Sequence, residues 1–511
     1  MNRKKNKNST ESHTESIVYA RERERTKPLG ISKKLIYGIG EMPYGILNSV
    51  IGTFVMLYYV QIIGLSASSV GLLIGLALLL DALTDPILAE FSDRFRSRLG
   101  RRHAFMYLSS IPLGLSLYCL MSPPQGLEEP LMLAWIGFFL VSARLCYTVF
   151  SIPYEALLPE LGGDYEGRAS LAAWRRMSAW VVSTIGVGFA MLVIFAGSDA
   201  YPQGQLNPDA YPAYALFVGL GVATSILFTT HFTRDQIPYL LQPQISSSIT
   251  SQMLVNSIAS VIANRNFQRL MCGVLLVFCV GAVATSFDIF VFTYFWRLSS
   301  EDLFVLQVGG MFGAVTGVII AAQLVKRFQK HHLLICAIAA SICLNASLPV
   351  LRLADVFPPN SSAFFLPLLS VTQALVALFS TLAGITSLSM FADLVDEQEL
   401  NNGRRQEAMF SAGLTFAMKA AGALGVMISG VVLEHFIGFD ASVVGLTPLE
   451  IEDTVLFKLA ITDALILNAL SLFCLPFFAR YTLSKDSVAQ IQMELAHQTR
   501  AADSRGPERT S

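Results

Sequence analysis

Twelve stretches of this chain are long and apolar enough to cross a bilayer, and that restricts the fold more than any other feature. A spanning helix needs about 20 consecutive, mainly apolar residues. Such runs lie near 35–60, 68–92, 104–122, 131–157, 171–196, 211–231, 267–295, 303–325, 333–351, 362–391, 407–434 and 455–479. In hydrocarbon every backbone N–H and C=O must be paired within the spanning structure, so each run is expected to be a helix. The fold class expected is an all-α polytopic membrane protein with 12 transmembrane helices in two six-helix halves. Composition agrees: 14% of the residues are charged, against about 25% in an average soluble protein.

The expected organisation is a disordered polar tail over 1–34, a first six-helix half over 35–231, a connector over 232–266, a second half over 267–480 and a polar tail over 481–511. The connector carries apolar residues at helical spacing (Met253, Leu254, Ile258, Val261, Ile262), which predicts an amphipathic helix lying on the membrane surface. No apolar core lies near Met1, so no signal peptide is expected. Cytoplasmic loops are enriched in Lys and Arg. With the amino terminus inside, 31 of the 36 basic residues fall in tails and loops on the cytoplasmic side. The opposite loops 123–130, 197–210 and 436–453 contain none. Both termini are therefore expected in the cytoplasm. A plain amino terminus and short loops point to a plasma membrane, in particular a bacterial inner membrane. The net charge of −1 gives no reason to expect a nucleic-acid partner. Seven cysteines sit almost wholly in apolar runs without CxxC spacing, and read as small buried hydrophobes rather than metal ligands.

Charges inside spans are costly, at roughly 2.5–3.5 kcal/mol each on insertion scales, and by default they mark function. Asp81 and Asp85 lie four residues apart in the second run and share one helix face. Oxygen ligands of this kind suit an alkali cation, and two carboxylates so placed can instead share a proton. Arg144 and Lys419 are mid-span cations able to pair with them. Pro86 predicts an interruption of that helix, because proline removes a backbone donor. Glu41 and Pro43 in Gly38-Ile-Gly-Glu-Met-Pro-Tyr-Gly45 predict a kinked first helix beside a cavity, and Asp288 faces a cavity from the seventh run. Tyr147, Tyr154, Trp174 and Trp180 are aromatic candidates to line it. The basic loop from Asp93 and Arg94 to Arg101 and Arg102 predicts ion pairs between helix ends that latch one conformation. A degenerate echo, Gln323-Leu-Val-Lys-Arg-Phe-Gln-Lys-His-His332, follows the eighth run, as a duplicated half would give.

The segment Ser92-Asp-Arg-Phe-Arg-Ser-Arg-Leu-Gly-Arg-Arg-His103 resembles the loop between the second and third helices of the major facilitator superfamily. Four further segments narrow the resemblance: Asp81-Ala-Leu-Thr-Asp-Pro86, Ile152-Pro-Tyr-Glu-Ala-Leu-Leu-Pro-Glu160, Met390-Phe-Ala-Asp-Leu-Val-Asp396 and Gly403-Arg-Arg-Gln-Glu407. Together they are similar to the glycoside–pentoside–hexuronide:cation symporters, the melibiose-permease type, over about 35–435. The animal sodium–lysophospholipid symporters share the same skeleton. The resemblance implies a cation site at Asp81, Asp85 and Thr148, with Thr84 standing where the family has asparagine. It implies a substrate cavity with Arg176 and Lys419. The family's sugar-gripping positions are occupied here by Tyr44 and Gly45 on the first helix and by Ser151 and Glu155 on the fourth. The coupling groups therefore match, while the acids expected at Gly45 and Ser151 are absent.

The function expected is cation-coupled symport, with Na⁺ or H⁺, of a sugar, glycoside or related small organic solute by alternating access. Alternatives are a cation-coupled carrier of an amphipathic or lysolipid-like substrate, a proton-driven exporter, and a non-transporting membrane sensor. No nucleophile–base pattern, nucleotide loop or metal cluster suggests an enzyme. No cofactor beyond the coupling ion is expected, and the partners are a small solute, a monovalent cation and the bilayer, with a monomer as the unit.

Overall fold

The computed structural model describes residues 29–95, 97, 99–239, 264–402 and 407–504. The amphipathic helix expected in the connector lies outside the described residues, as do residues 1–28 of the amino-terminal tail. Among the described residues, twelve helices are long and apolar enough to span a membrane. They are α1 (Ile31–Ile62), α2 (Ala67–Ser92), α3 (His103–Met121), α4 (Glu129–Gly162), α5 (Glu166–Ile194), α6 (Pro208–Pro238), α7 (Arg265–Phe295), α8 (Ser300–Arg327), α9 (Lys330–Leu353), α10 (Phe365–Asn401), α11 (Gly413–Ile437) and α12 (Asp453–Ala479). A further helix, α13 (Lys485–Ser504), occupies the polar carboxy-terminal region. Large apolar side chains such as Ile87, Leu108, Phe138, Ile185 and Phe312 are mostly exposed, as lipid-facing positions require.

The chain divides into two compact units. Unit 1 holds residues up to Val55, Leu80–Ile194 and Asn207–Ser246; unit 2 holds Met56–Leu79, Phe195–Leu206 and everything from Ser247. The later part of α1 and the start of α2 thus group with the second unit, where their polar groups find partners. Glu434 of α11 accepts hydrogen bonds from Ser66 Oγ (2.6 Å) and the Ser68 N–H (2.8 Å), supplying an acceptor to the unpaired donors at the start of α2. Tyr294 donates to Gln61 at 3.0 Å, and Ser300 to Gln205 at 2.6 Å.

Helices approach closely where small residues allow it. In unit 1 a Cβ on Gly114 of α3 would overlap the Gly219 carbonyl oxygen of α6, and one on Gly219 would come within 2.7 Å of the Gly114 carbonyl. The backbones cross there almost in contact. The core of unit 2 gathers Phe267, Leu270, Met390, Leu394 and Phe478.

Two local expectations have different outcomes. The first helix does break: a turn at Gly40–Glu41 separates Ile31–Ile39 from Met42–Ser49, with Pro43 in the first turn of the new segment. Proline is tolerated there because its missing N–H would have no partner anyway. Pro86, by contrast, does not interrupt α2, which runs on helically to Arg94. The proline only deprives the Ala82 carbonyl of its usual donor.

Candidate functional site

Asp81 and Thr148 come together inside unit 1. Asp81 is 2% exposed and Thr148 fully buried, and the Thr148 hydroxyl donates to Asp81 Oδ1 at 2.5 Å. The same hydroxyl is 3.1 Å from the Arg144 carbonyl, one turn back on α4. Thr84 donates to the Asp81 backbone carbonyl at 3.2 Å, and Asp85 is half-buried one turn further along α2. The side chain of Arg144 is buried, and its Nε has no hydrogen-bond partner. Asp81 is the foremost charge acting on it. Carboxylate and hydroxyl oxygens from α2 and α4 therefore converge beside one buried guanidinium. Oxygens of this kind suit a hard monovalent cation; Asp81 and Thr148 are brought together, while Thr84 donates its hydroxyl within its own helix and Asp85 lies one turn along α2.

A second cluster joins α1, α4 and α5. Tyr37 donates to the Tyr154 carbonyl (2.8 Å), and Tyr154 donates to the Tyr37 carbonyl (2.7 Å). Their rings stack at 4.6 Å. Gly40 is required at this crossing, since a Cβ would sit 2.5 Å from the Tyr154 ring. Beside the pair, Glu41 Oε2 contacts Arg175 Nε at 3.3 Å, and the Arg175 guanidinium lies 5.9 Å from the Tyr154 ring centroid. Arg176, the arginine selected by resemblance, is exposed, but its charge and that of Glu155 both reach Glu41. Sequence reasoning missed Arg175 because the two arginines are adjacent and about 100° of helix rotation decides which one turns toward α1. Tyr44 is half-exposed and tilted against Tyr147 at 6.3 Å. Gly45 borders a small cavity with Ser183 and Tyr214, and Ser151 is half-buried. Asp288 and Lys419 belong to unit 2. Asp288 lines a cavity there together with Asp463, an acid that sequence reasoning passed over. The available signal was a lone carboxylate in the apolar run Ala460-Ile-Thr-Asp-Ala-Leu-Ile466.

The basic loop meets its partner at the end of α4. Arg101 Nη2 donates to Glu160 Oε1 at 2.9 Å, and Arg102 donates from Nε (3.0 Å) and Nη2 (2.5 Å) to the same oxygen. The side chains of Asp93 and Arg94 lie outside the described residues. Unit 2 repeats the arrangement at the matching place: Lys330, at the start of α9, bridges both oxygens of Asp393 in α10 at 2.6 and 2.7 Å. The weak repeat in the sequence thus corresponds to the same device twice, a cation at the head of the third helix of each half and an acid near the end of the fourth. Glu160→Gln is expected to lower the unfolding free energy by about 1.5 kcal/mol, because a buried charge-assisted acceptor becomes a neutral one. A fall in Tm of the detergent-solubilised protein checks this, and an unchanged Tm would show that the arginines are satisfied elsewhere.

Among the described residues all seven cysteines are free, and no group of three or more His, Cys, Asp or Glu gathers to hold a metal ion.

Residues 36–485 match the family described as MFS/sugar transport protein. The inner membrane symporter YicJ of Escherichia coli (strain K12) is 26% identical over 424 residues, which is 82% of this chain and 85% of the relative. The isoprimeverose transporter of Lactiplantibacillus pentosus is 21% identical over 408 residues, 79% and 80% of the two chains. In fold, the chain is similar to the inward-open xylose transporter XylE from E. coli, with a TM-score of 0.58 at 14% identity, covering 90% of this chain and 99% of that one.

Proposed function

From the premise that this chain belongs to the MFS/sugar transport protein family, we propose that it couples the entry of a small glycoside or sugar-like solute to a monovalent cation, Na⁺ or H⁺, across a cell membrane with both termini in the cytoplasm. That the chain is a multi-pass membrane transporter of the major facilitator type rests on the family match, the symporter relatives and the fold. The ion and the solute are the proposal. The observation that carries it is the fully buried hydrogen bond from Thr148 to Asp81, which brings a hydroxyl and a carboxylate together in the interior of unit 1. A carboxylate and a hydroxyl oxygen held together in the interior of a spanning unit are donors of the kind an alkali cation or a shared proton takes. Cation binding then raises affinity for solute, and solute raises affinity for the cation by the same factor.

The Glu41 cluster supports a sugar-like solute. A sugar carrier of this type keeps acids at the positions of Gly45 and Ser151. Glu41 lies four residues before Gly45 on α1, and Glu155 four residues after Ser151 on α4. The Gly45 N–H bonds to the Glu41 carbonyl, so the two are one helical turn apart. α1 and α4 run antiparallel, with Tyr37 against Tyr154. Both displacements therefore go the same way along the bundle, by about 6 Å. In this reading the acids are moved together by one turn, and with Arg175 and the tyrosines they offer a sugar both hydroxyl acceptors and aromatic faces.

Uptake of radiolabelled glycosides into proteoliposomes under imposed Na⁺ or H⁺ gradients tests the proposal. Gradient-dependent accumulation of at least one of them is the expected result. Accumulation of lysophospholipid alone would move the assignment to the amphipathic-substrate class, and no flux of any solute would favour the sensor. Glu41→Gln is expected to raise KM for the transported sugar about tenfold, the cost of one charge-assisted hydrogen bond, with cation dependence unchanged. An unaltered KM would remove Glu41 from the solute site.

A further inference from the structure

We propose that Asp288 of α7 and Asp463 of α12 form a second cation site, wholly within unit 2, in which the two carboxylates and the side-chain amides of Asn345 and Gln373 hold one alkali ion or one proton.

The site starts from Asp463. It is 7% exposed, and among the described residues its carboxylate makes no hydrogen bond and no ion pair. Its backbone carbonyl accepts from Asn468 Nδ2 at 3.2 Å. A carboxylate on the wall of a cavity inside a spanning unit, without a protein partner, needs its charge compensated from the cavity. Asp463 lies on a small cavity of 40 Å³ whose wall also includes Asp288, Asn345 and Gln373. Those three residues also line a larger cavity of 480 Å³ between α7, α9, α10 and α12. The two cavities thus share part of their walls, with Asp463 on the smaller one and the half-buried Asp288 on both. No hydrogen bond engages the side-chain amide of Asn345 or Gln373 among the described residues.

Charge decides what the site takes. No Lys, Arg or His lines either cavity, and two acids in a low dielectric need a positive occupant or a shared proton. Of the charged groups on the packed neighbours, Lys419 of α11 lines neither cavity, and Arg352 lies behind the cavity wall at Trp296. Arg352 of α9 stacks on Trp296 at 4.8 Å and on Phe365 at 5.7 Å. Glu434 and His435 of α11 face Ser66 and Ser68. Lys458 and Asp453, on α12 itself, are exposed. Asp463 is the charge that acts on Asp288. Backbone geometry agrees, since Asp463 lies in the π-helical stretch Thr462–Leu467 and Asp288 comes three residues before another, Val291–Phe295. Such stretches occur frequently at functional sites. Carboxylate and amide oxygens are hard donors, which suits an alkali ion or a proton rather than a transition metal.

This site shares no residue with Asp81, so it is tested with the first site removed. Full-length Asp81→Asn/Asp85→Asn protein in detergent is heated with NaCl or LiCl against choline chloride at constant ionic strength and pH 8. A parallel series in choline runs from pH 8 to pH 5. Tm is expected to respond in one series: the salt series identifies an alkali ion, the pH series a proton. Adding Asp463→Asn or Asp288→Asn should abolish that response or shift its midpoint about 10–100-fold in cation concentration. If Asp463→Asn does not fold, Asp288→Asn at the wider end of the cavity carries the test alone. A full response retained in the folded Asp288→Asn and Asp463→Asn proteins, or no response to salt or pH before they are introduced, would overturn the proposal.

Discussion

Asp81→Asn is expected to abolish cation-driven accumulation in proteoliposomes while the protein still reaches the membrane folded. The substitution keeps the shape of the side chain and an oxygen able to accept from Thr148, so the α2–α4 contact at 2.5 Å can survive. What it removes is the charge. Without it the site can no longer neutralise an incoming cation, and the buried Arg144 loses the foremost charge acting on it. Coupling should therefore fail outright, whereas solute exchange down its own gradient should persist at a reduced rate. Thr148→Val is the graded counterpart. It leaves the charge and deletes one oxygen ligand, so the cation concentration for half-maximal uptake should rise about 10–100-fold without loss of maximal rate. Accumulation at the wild-type level by Asp81→Asn, measured with the same imposed gradient, would exclude this carboxylate from coupling.

The second large effect is on stability. Gly313→Ala should lower the unfolding free energy by about 3 kcal/mol, the upper end of overpacking costs. Gly313 is buried on α8, and a Cβ there would overlap the carbonyl oxygen of Ala374 on α10. Backbone cannot rotate away as a side chain can, so the helices must separate. Four residues on, Gly317 is similarly placed against Leu378, and the separation would reach that contact too. Gly310→Ala, on the same helix, is the control. Nothing lies within 4 Å of a Cβ at Gly310, and replacing a mid-helix glycine by alanine is otherwise favourable by about 0.5–1 kcal/mol. A lower Tm for Gly313→Ala beside an unchanged or higher Tm for Gly310→Ala checks the close approach; equal shifts would refute it.

Much of the candidate site could be read from the chain. Asp81, Asp85 and Glu41 stand out because a carboxylate in an apolar run has no inexpensive explanation, and the i,i+4 spacing of Arg144 and Thr148 follows from helical geometry. Other parts were not legible. Arg175 and Arg176 differ only in helix rotation. Glu160 belonged to the motif Ile152–Glu160, yet nothing local joins it to Arg101 and Arg102 about 60 residues earlier. Pro86 shows the opposite limit, where a residue that ends many helices is absorbed by one held in place along its length.

By itself the sequence determined the number and kind of spanning elements, because hydrocarbon leaves an unpaired backbone only one local solution and that solution is written in runs of apolar residues. It also singled out most of the candidate side chains, since each charge in such a run must be compensated. Only the tertiary structure decided which of those charges meet. Thr148 reaches Asp81 across 67 positions of chain, Lys330 reaches Asp393 across 63, and Asp288 shares a cavity with Asp463 from the far end of the same unit. Such pairings depend on how helices rotate and cross, and glycines at Gly40, Gly114 and Gly313 set those crossings by letting backbones approach where any other residue would hold them apart.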